Sequence, residues 1–537
     1  MSTENYFDAV IIGAGFAGMY ALHKIRGLGF KVKAYERASD VGGTWFWNRY
    51  PGARCDVNSL EYSYQFSEEL QQEWSWSERY SSQPEILSYA KHVSERFDLR
   101  RDIQFETRVV QLKYDENLDI WHGQTAQGEE FTSRILIMAT GCLSKSNAPQ
   151  FEGLNQFEGR LLHTAQWPHK EVDFAGQNVG VIGTGSSAIQ LIPIVADQAK
   201  SLTVFQRTAN FSIPAHNSDM DKRHEAQIKA SYKEFRAQNS SQMSAIRMVP
   251  NPVSALEVSE EEREKTYEER WSVGGLPFAA TFNDLGINRK ANATAVDFVH
   301  RKIKDLVKDE RTAIKLCPDT VLGCKRLCVD SNYYETFNRS NVSLVDIKEN
   351  PIKNIGRDGL ATVNEEFEFD CLILATGFDA MTGALSDISI TGRENQTLAA
   401  HWSEGPQNYL GLMASGFPNM FTITGPGSPS VLSNMIVAIE QHVNFITNLL
   451  DFMKQTHRKT VETSAKAEAE WIQRVNAIAA KTLYTSGCNS WYLGANIPGK
   501  PKIFMPHIGF PSYVEKCNEV EADEYRSFIF SSGSIVC

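Results

Sequence analysis

The stretch Asp8-Ala-Val-Ile-Ile-Gly13-Ala-Gly15-Phe-Ala-Gly18 predicts the fold of this chain. The apolar run Phe7–Ile12 is a strand candidate that leads into three spaced glycines, and a helix is predicted through Ala21–Leu28. Glycines at this spacing let the backbone approach a pyrophosphate at the helix N-terminus, where free N–H groups favour anions. The returning strand Lys31–Tyr35 ends at Glu36, where a carboxylate can bind ribose hydroxyls. Together these features predict a dinucleotide-binding unit.

The same pattern returns in a second unit. Asn178–Ile182 leads into Gly183-Thr-Gly185-Ser186-Ser-Ala188, and the returning strand Leu202–Gln206 ends at Arg207. The structural position that is acidic in the first unit is therefore basic in the second. A carboxylate suits a free ribose 2′-hydroxyl, whereas an arginine suits a 2′-phosphate. We therefore predict that the first unit binds the adenosine half of FAD and the second binds NADPH.

The alternation of strands and helices is interrupted between the two ends of the second unit. The segments Lys222–Gln238, Glu260–Arg270 and Ala295–Lys308 are polar, amphipathic and helix-like, with Ser259 and Glu262 spaced as a capping box. We predict an α/β fold with two Rossmann-like dinucleotide-binding domains and a helical insertion in the second. The predicted parts are an FAD-binding domain over residues 1–145 and 380–537, an NADP-binding domain over 146–216 and 325–379, and the insertion over 217–324.

Composition limits the classes of function. The 537 residues, 42% hydrophobic and 22% charged, are typical of a soluble protein of several domains. The net charge of −11 argues against nucleic-acid or membrane partners, and no apolar run reaches the ~18 residues of a membrane helix. Met1–Tyr6 leaves no room for a signal peptide, so a cytoplasmic location is expected. The nine cysteines are expected to be reduced thiols, and Cys324 with Cys328 lacks the further ligands of a metal site.

Two further motifs connect these units. Phe157-Glu-Gly159-Arg-Leu-Leu-His163-Thr-Ala-Gln-Trp167-Pro168 lies between the two glycine-rich turns, where it is either an ordinary linker or a hinge that sets their relative position. The second motif runs from Gly42-Gly43-Thr44-Trp45 through Tyr50-Pro51-Gly52 to Asp56. With both motifs the chain resembles the type I Baeyer–Villiger monooxygenases, whose patterns are F-x-G-x-x-x-H-x-x-x-W-P and G-G-x-W-x-x-x-x-Y-P-G-x-x-x-D. The resemblance covers nearly the whole chain.

The resemblance implies an NADPH- and O2-dependent flavin monooxygenase. Such an enzyme inserts one oxygen atom next to a ketone carbonyl through a C4a-peroxyflavin and gives an ester or a lactone. The implied cofactors are FAD and NADPH/NADP+, and the implied partners are a small-molecule ketone and O2. Family members are often monomers, so a monomer is expected.

The resemblance also implies roles for single residues. Arg326 matches the family's catalytic arginine, and Asp56 matches the carboxylate that positions it. The signature residues Phe157, Gly159, His163 and Trp167 are expected to couple domain motion at a distance from the flavin. The loop Ser430-Val431-Leu432 resembles the segment that lines the substrate pocket in the phenylacetone-type branch, which favours aryl or bulky ketones.

Cofactor contacts are expected at two places. Lys325 and Thr208 are expected to join Arg207 at the 2′-phosphate, and Trp491 is expected to contact the nicotinamide end. The full set of expected cofactor-binding residues is Gly13, Gly15, Gly18, Glu36, Gly43, Thr44, Trp45, Asp56, Gly183, Gly185, Ser186, Arg207, Thr208, Lys325 and Trp491.

Three other classes of protein are alternatives to a Baeyer–Villiger monooxygenase. Flavin-dependent N- or S-oxygenases are the main alternative, but they typically carry Tyr or Phe at the position of Trp167. A disulfide reductase needs a redox cysteine pair after the first glycine-rich turn, where only Cys55 is near. A flavin sensor or binding protein without enzyme activity gains nothing from a second, phosphate-selective site.

Overall fold

The computed structural model describes residues 5–500 and 506–535. In its first part the apolar run of the opening strand is buried, and the helix after the glycine-rich turn packs against the sheet. The elements of this part are β1 (Tyr6–Ile12), α1 (Phe16–Gly27), β2 (Val32–Tyr35), α2 (Thr44–Trp47), α3 (Glu68–Glu73), α4 (Gln83–Arg96), β3 (Ile103–Gln104), β4 (Val109–Asp115), β5 (Ile120–Thr125) and β6 (Glu130–Met138).

The second unit repeats this arrangement and is followed by the helical insertion. The side chain of Ser259 accepts the backbone N–H of Glu262 at 3.2 Å, so Ser259 caps the helix as the predicted capping box requires of it. The segment Lys222–Gln238 is two helices rather than one, because the backbone at Ser231 leaves the helical region (φ −137°, ψ 37°). The elements are β7 (Arg160–His163), β8 (Asn178–Ile182), α5 (Ser186–Gln198), β9 (Ser201–Gln206), β10 (Ser212–Pro214), α6 (Lys222–Ala230), α7 (Tyr232–Ser240), α8 (Glu260–Val273), α9 (Arg289–Leu306) and α10 (Glu310–Leu316).

The rest of the chain completes both units. The elements that complete the second unit are β11 (Cys328–Asp330), α11 (Tyr333–Thr336), β12 (Val342–Asp346), β13 (Ile352–Ile355), β14 (Gly359–Thr362), β15 (Glu366–Glu368) and β16 (Cys371–Leu374). The C-terminal elements are α12 (Gly383–Ser386), β17 (Ser389–Thr391), α13 (Leu398–His401), β18 (Met420–Thr422), α14 (Met435–Gln455), β19 (Arg458–Thr463), α15 (Ala465–Ala479), α16 (Phe510–Ala522) and β20 (Phe528–Ser532).

Two sheets carry the dinucleotide units. The larger has the order β17-β4-β5-β6-β1-β2-β3, with β18 also paired to β6, and the other is all parallel with the order β12-β9-β8-β16-β7. The glycine-rich turns follow β1 and β8, which both lie inside their sheets. A ligand binds best at such a point, where neighbouring connections leave in opposite directions. The predicted α/β fold with two Rossmann-like units is confirmed.

The C-terminal part folds back onto the first unit, as expected. Its strands β17 and β18 pair with β4 and β6, and α14 packs along α1. The first unit is therefore built from both ends of the described chain. The exact division at residues 145, 216, 324 and 379 stays a proposal.

One expectation from composition is wrong. Cys324 and Cys488 are joined by a disulfide, with Cα atoms 6.3 Å apart and a sequence separation of 164, so these two are not reduced thiols. A separation of that length hides the pairing from any local pattern. None of the helices within residues 5–500 and 506–535 is long and apolar enough to cross a membrane. The same residues contain no cluster of His, Cys, Asp and Glu that could hold a metal ion.

Candidate active site

The first glycine-rich turn is shaped so that only glycine fits. Gly13 has φ +108°, and a Cβ atom there would lie 2.5 Å from the carbonyl oxygen of Ala139. Gly15 approaches the Cα of Gly43, where Thr44 and Trp45 begin α2. A Cβ on Gly18 would collide with the carbonyl of Gly13. The turn therefore leaves the bare backbone at the N-terminus of α1 for a phosphate group to approach.

Glu36 lies at the end of β2, directly beside this turn. Its two carboxylate oxygens accept the backbone N–H groups of Ala14 and Ala38, each at 2.7 Å, and the residue is only 5% exposed. The carboxylate is thus held next to the turn by two N–H donors. This is the position at which an adenosine ribose would meet it.

The second glycine-rich turn brings two cations together. Gly183 has φ +120°, and Gly185 caps α5, which begins at Ser186. Arg207 is exposed directly after β9, and the carbonyl of its neighbour Thr208 accepts the hydroxyl of Thr184 at 2.8 Å. Burial, and then the charge of Arg207, lower the pKa of Lys325.

No carboxylate within 4 Å balances either cation among residues 5–500 and 506–535. Two neighbouring positive charges repel each other, and an anion that binds between them relieves this repulsion. A 2′-phosphate supplies the charge and the acceptor oxygens that Arg207 and Lys325 lack. This part of the structure therefore fits NADPH better than NADH.

Arg326 and Asp56 form a two-pronged ion pair across the two units. Arg326 donates from Nε to one carboxylate oxygen of Asp56 at 2.7 Å and from Nη2 to the other at 2.8 Å. Its Nη1 donates to the carbonyl of Val431 at 2.9 Å. Burial alone lowers the pKa of Arg326, but the facing carboxylate outweighs this and raises it above its ordinary value. The guanidinium is therefore a permanent, fixed positive charge.

The local structure explains how these side chains are positioned. Asp56 ends the segment that contains Tyr50, and the Tyr50 hydroxyl donates to Gln190 on α5 at 2.9 Å. The amide of Gln190 in turn donates to the carbonyl of Arg54 at 3.0 Å. The segment that contains Asp56 is thus fastened to a helix of the second unit. Arg326 stands just before β11, which is paired with β10.

A cavity of about 610 Å³ lies beside Asp56, between the first unit and the helical insertion. Its volume is within the range of roughly 300–1,000 Å³ that is typical of small-molecule sites. Both the loop after Asp56 and the insertion supply buried side chains to its wall, among them Leu60, Glu61, Tyr80, Phe235, Ile246 and Leu276. Most of this wall is apolar.

The signature segment lies between the units, away from the ion pair. The ring of His163 accepts the N–H of Ala165 at Nδ1 (3.0 Å), so its proton is on Nε2, which faces the carbonyl of Asn147 at 3.2 Å. The hydroxyl of Thr376 donates to the same carbonyl at 2.6 Å. Burial lowers the pKa of His163 and favours this neutral form. His163 and Thr376, which follows β16, therefore both hold the carbonyl of Asn147 in the connection that precedes β7.

The segment also reaches the first glycine-rich region. Trp167 is 6% exposed and packs near Phe174, and the ring of Phe157 lies over the space that a side chain at Gly159 would need. Two residues after Trp167, the ring of His169 lies 4.9 Å from that of Phe46 on α2. The second unit therefore contacts the helix that follows Gly43.

Sequence reasoning missed part of the surroundings of Arg326. Tyr492 is 2% exposed and interacts with Arg326, and the ring of its neighbour Trp491 lies 4.5 Å from its own ring in a tilted arrangement. Tyr492 belongs to an apolar cluster with Val431 and Met381, and Leu432 lies beside this cluster. Ser430 is buried and donates to the carbonyl of Thr424 at 3.2 Å. The only local signal for Tyr492 was its position next to Trp491.

Comparison with known proteins agrees with this arrangement. Residues 7–307 match the family model of the pyridine nucleotide-disulphide oxidoreductases. A Baeyer–Villiger monooxygenase from Pseudooceanicola batsensis is 41% identical over 97% of this chain and 96% of the relative. A phenazine N-monooxygenase from Lysobacter antibioticus is also 41% identical, over 98% of each chain. A solved structure of oxidised steroid monooxygenase bound to NADP is 48% identical, with a TM-score of 0.94, over 98% of this chain and 100% of that chain.

The fold and the site thus define an oxidoreductase with two dinucleotide-binding units, one for a flavin and one for a pyridine nucleotide. Within that class the chain belongs to the Baeyer–Villiger monooxygenase family. It is an FAD-containing, NADPH-dependent enzyme that inserts an oxygen atom from O2 next to a ketone carbonyl. In the described residues near the first glycine-rich turn there is no cysteine pair of the kind that a disulfide reductase uses.

Proposed function

We propose that this enzyme oxidises bulky, largely apolar ketones, and that Arg326 and Asp56 are its catalytic pair. The observation that carries the proposal is the pair itself: the guanidinium is held by three hydrogen bonds, and its partner Asp56 lines a large, mainly apolar cavity. FAD and NADPH, when bound, supply the electrons and the activated oxygen. The chain supplies a fixed positive charge and a space from which water is excluded.

Arg326 stabilises negative charge that develops on oxygen during attack on the ketone. A preorganised donor needs no reorganisation at that moment, and removing one such donor typically lowers the rate by roughly 10²–10³. Asp56 holds the guanidinium in one orientation through both of its oxygens. The carbonyl of Val431 accepts from the third side of the guanidinium, so the proposed substrate loop also helps to orient Arg326.

The nucleotides are held at the two glycine-rich turns. The turn at Gly13–Gly18 and Glu36 receive FAD, and Gly43, Thr44 and Trp45 close over it. The turn at Gly183–Ser186 receives NADPH, with Arg207, Thr208 and Lys325 around the 2′-phosphate. Trp491 lies toward the nicotinamide end. The signature residues of the hinge, Phe157, Gly159, His163 and Trp167, position one unit against the other.

The volume of the cavity favours a large substrate. A volume of about 610 Å³ exceeds the needs of a simple cyclic ketone, and its buried wall includes Leu60, Phe235 and Leu276. The solved steroid monooxygenase has a name that points to a substrate of this size. The loop Ser430–Leu432 adds apolar side chains, Val431 and Leu432, and the carbonyl of Val431 contacts Arg326. We further propose that the enzyme works as a monomer.

A panel of substrates tests the proposal. Polycyclic ketones, aryl ketones and cyclohexanone are incubated with the holoenzyme, NADPH and O2, and esters or lactones are measured by mass spectrometry. We expect kcat/KM to be highest for the bulky ketones. A preference for cyclohexanone would contradict the substrate class.

Oxidation of a ring nitrogen is the second candidate function. It is favoured by one specific observation, the 41% identity to a phenazine N-monooxygenase. Phenazine is therefore included in the panel, with its N-oxide as the diagnostic product. Formation of the N-oxide with no ester from any ketone would favour this candidate instead.

A further inference from the structure

The disulfide between Cys324 and Cys488 joins two parts of the candidate active site. Cys324 is 1% exposed and stands two residues before Arg326, whereas Cys488 is half-buried and stands four residues before Tyr492. The bond therefore connects the chain that carries the proposed catalytic arginine to the chain that covers it. We name residues 488–494 the covering segment.

The two ends of this bond differ in how firmly they are held. On the Cys324 side, Asn292 of α9 donates to the carbonyl of Leu322 at 2.9 Å and accepts its N–H at 3.0 Å. On the other side, the covering segment has little outside support. In the described parts of the chain, the backbone hydrogen bonds of the segment stay local, such as that from Leu493 to Ser490 at 3.1 Å. The disulfide is thus a covalent link between a fixed anchor and a weakly held segment.

The nearest anchors of the covering segment lie outside it. Before the segment, the N–H of Leu483 donates to the carbonyl of Gly286 at 2.8 Å. After it, the amide of Asn496 donates to the carbonyl of Phe378 at 2.8 Å. Between these points, its own packing and the disulfide hold Tyr492 against Arg326, and Trp491 packs on Tyr492. Loss of the bond leaves the packing of Tyr492 and its contact with Arg326 as the remaining support.

We propose that Cys324 and Cys488 are a reversible redox modification site that sets how firmly the covering segment closes over Arg326 and the bound nucleotide. With the bond formed, the segment stays closed and NADP+ leaves slowly. With the two thiols reduced, the segment opens more often and NADP+ leaves faster. The proposal rests on the roles given above to Arg326 and Trp491.

The chemistry balances with hydrogen peroxide as the oxidant. A monooxygenase releases hydrogen peroxide whenever NADPH oxidation is not coupled to oxygen transfer. The thiolate of Cys488, the more accessible sulfur, attacks one peroxide oxygen; the O–O bond breaks, and the leaving hydroxide takes a proton to become water. The thiolate of Cys324 then attacks the resulting sulfenic acid, the S–S bond forms and a second water leaves. A dithiol reductant reverses the process by thiol–disulfide exchange.

The backbone geometry permits this cycle. A Cα–Cα distance of 6.3 Å is within the usual range of about 4.4–6.8 Å for disulfides, so the bond forms without movement of either backbone. Cys317 is a suitable control because it is also partly accessible but has no disulfide partner among the described residues. Its distance from the covering segment in sequence leaves the proposed machinery intact.

The first measurement counts thiols in the full-length holoenzyme. After treatment with hydrogen peroxide and unfolding, seven of the nine cysteines should react with a thiol reagent, and all nine should react after reduction. Tryptic digestion of the oxidised protein should give one cross-linked peptide that contains Cys324 and Cys488. Nine reactive thiols in the oxidised protein, or a different cross-link, would overturn the proposal. This count does not depend on any substrate assignment.

The second measurement is the dissociation rate of NADP+ from the holoenzyme, followed by stopped-flow displacement. The reduced enzyme should release NADP+ at least about fivefold faster than the oxidised enzyme, the lower end of the coupling usual between linked sites. The Cys324→Ser and Cys488→Ser variants should release it at the fast rate in both conditions, and Cys317→Ser should respond like the wild type. Equal rates in oxidised and reduced wild type would overturn the proposal. If the serine variants fail to retain FAD, the wild-type comparison alone decides.

Discussion

Replacement of Arg326 by alanine is the most direct test of the proposed active site. The change removes three hydrogen bonds, two to Asp56 and one to Val431, and it leaves the Asp56 carboxylate without its counter-ion. Only the oxygen-transfer step places negative charge beside this guanidinium. We therefore expect ester formation to fall by roughly 10²–10³, whereas hydride transfer from NADPH is affected much less.

The assay measures how much ester and how much hydrogen peroxide are formed per NADPH consumed. NADPH oxidation is followed by absorbance, and ester and hydrogen peroxide are measured at the end of each run. Wild type should give mainly ester, and Arg326→Ala should consume NADPH and release hydrogen peroxide. Arg326→Lys is the matched control, because it keeps the charge but cannot bind both oxygens of Asp56 at once. It should recover only a small part of the lost ester yield.

Asp56 should behave as part of the same unit. Asp56→Ala should show a milder loss than Arg326→Ala, because Arg326 keeps its charge and its bond to Val431. The double variant should be little worse than Arg326→Ala, since groups that act as one unit are not additive. A normal ester yield from Arg326→Ala would refute the catalytic role, and additive losses in the double variant would refute the partnership.

Three further predictions concern residues outside this pair. Arg207→Ala should weaken NADPH binding by roughly 10- to 100-fold, because an arginine–phosphate contact contributes about 1.5–3 kcal/mol. NADH use should change little, and an equal loss with both nucleotides would contradict the assignment. His163→Ala should retain FAD but turn over roughly tenfold more slowly, because it loses the bonds to Ala165 and Asn147 that hold the signature segment in place. If the stopped-flow rates of this variant equal those of wild type, the signature segment Phe157–Pro168 is only a linker. Burial raises the pKa of Glu61 from 4.5 to about 7, so its neutral form stabilises the fold at low pH and this stability is lost as the pH rises from about 4.5 to 7. The free energy of unfolding of Glu61→Gln should therefore rise relative to that of wild type by roughly 3 kcal/mol across that window. Thermal unfolding of both proteins at pH 5 and 8 measures this difference, and a difference that does not change with pH would contradict the shifted pKa.

Features that depend on short sequence spacing could be predicted. Both glycine-rich turns, the strands around them and the contrast between Glu36 and Arg207 follow from local steric and charge rules. The α/β fold followed from their repetition. The same rules failed inside the insertion, where Ser231 breaks a segment whose helical periodicity continues past it. A single residue with a non-helical backbone leaves no mark on an amphipathic pattern.

Features that depend on tertiary packing could not be predicted from spacing. The contact between Asp56 and Arg326 spans 270 residues and was expected only from the family resemblance. The bond between Cys324 and Cys488, the burial of Tyr492 and the volume of the cavity had no local signal at all. Each of them arises where the insertion and the C-terminal part meet the two dinucleotide units. The sequence specifies those units individually, but the space between them is set by how they pack.

That dependence on packing gives a reason for the position of the signature segment. Arg326 belongs to the second unit, yet its charge is oriented by Asp56 from the first unit and by Val431 from the C-terminal part. A small rotation between the units therefore separates the guanidinium from both partners at once. The neutral ring of His163 fixes the signature segment through Asn147, and His169 contacts Phe46 on α2 of the first unit. We therefore expect residues that never touch a substrate to affect catalysis, because they help to set the relative position in which Arg326 keeps its bonds to both Asp56 and Val431.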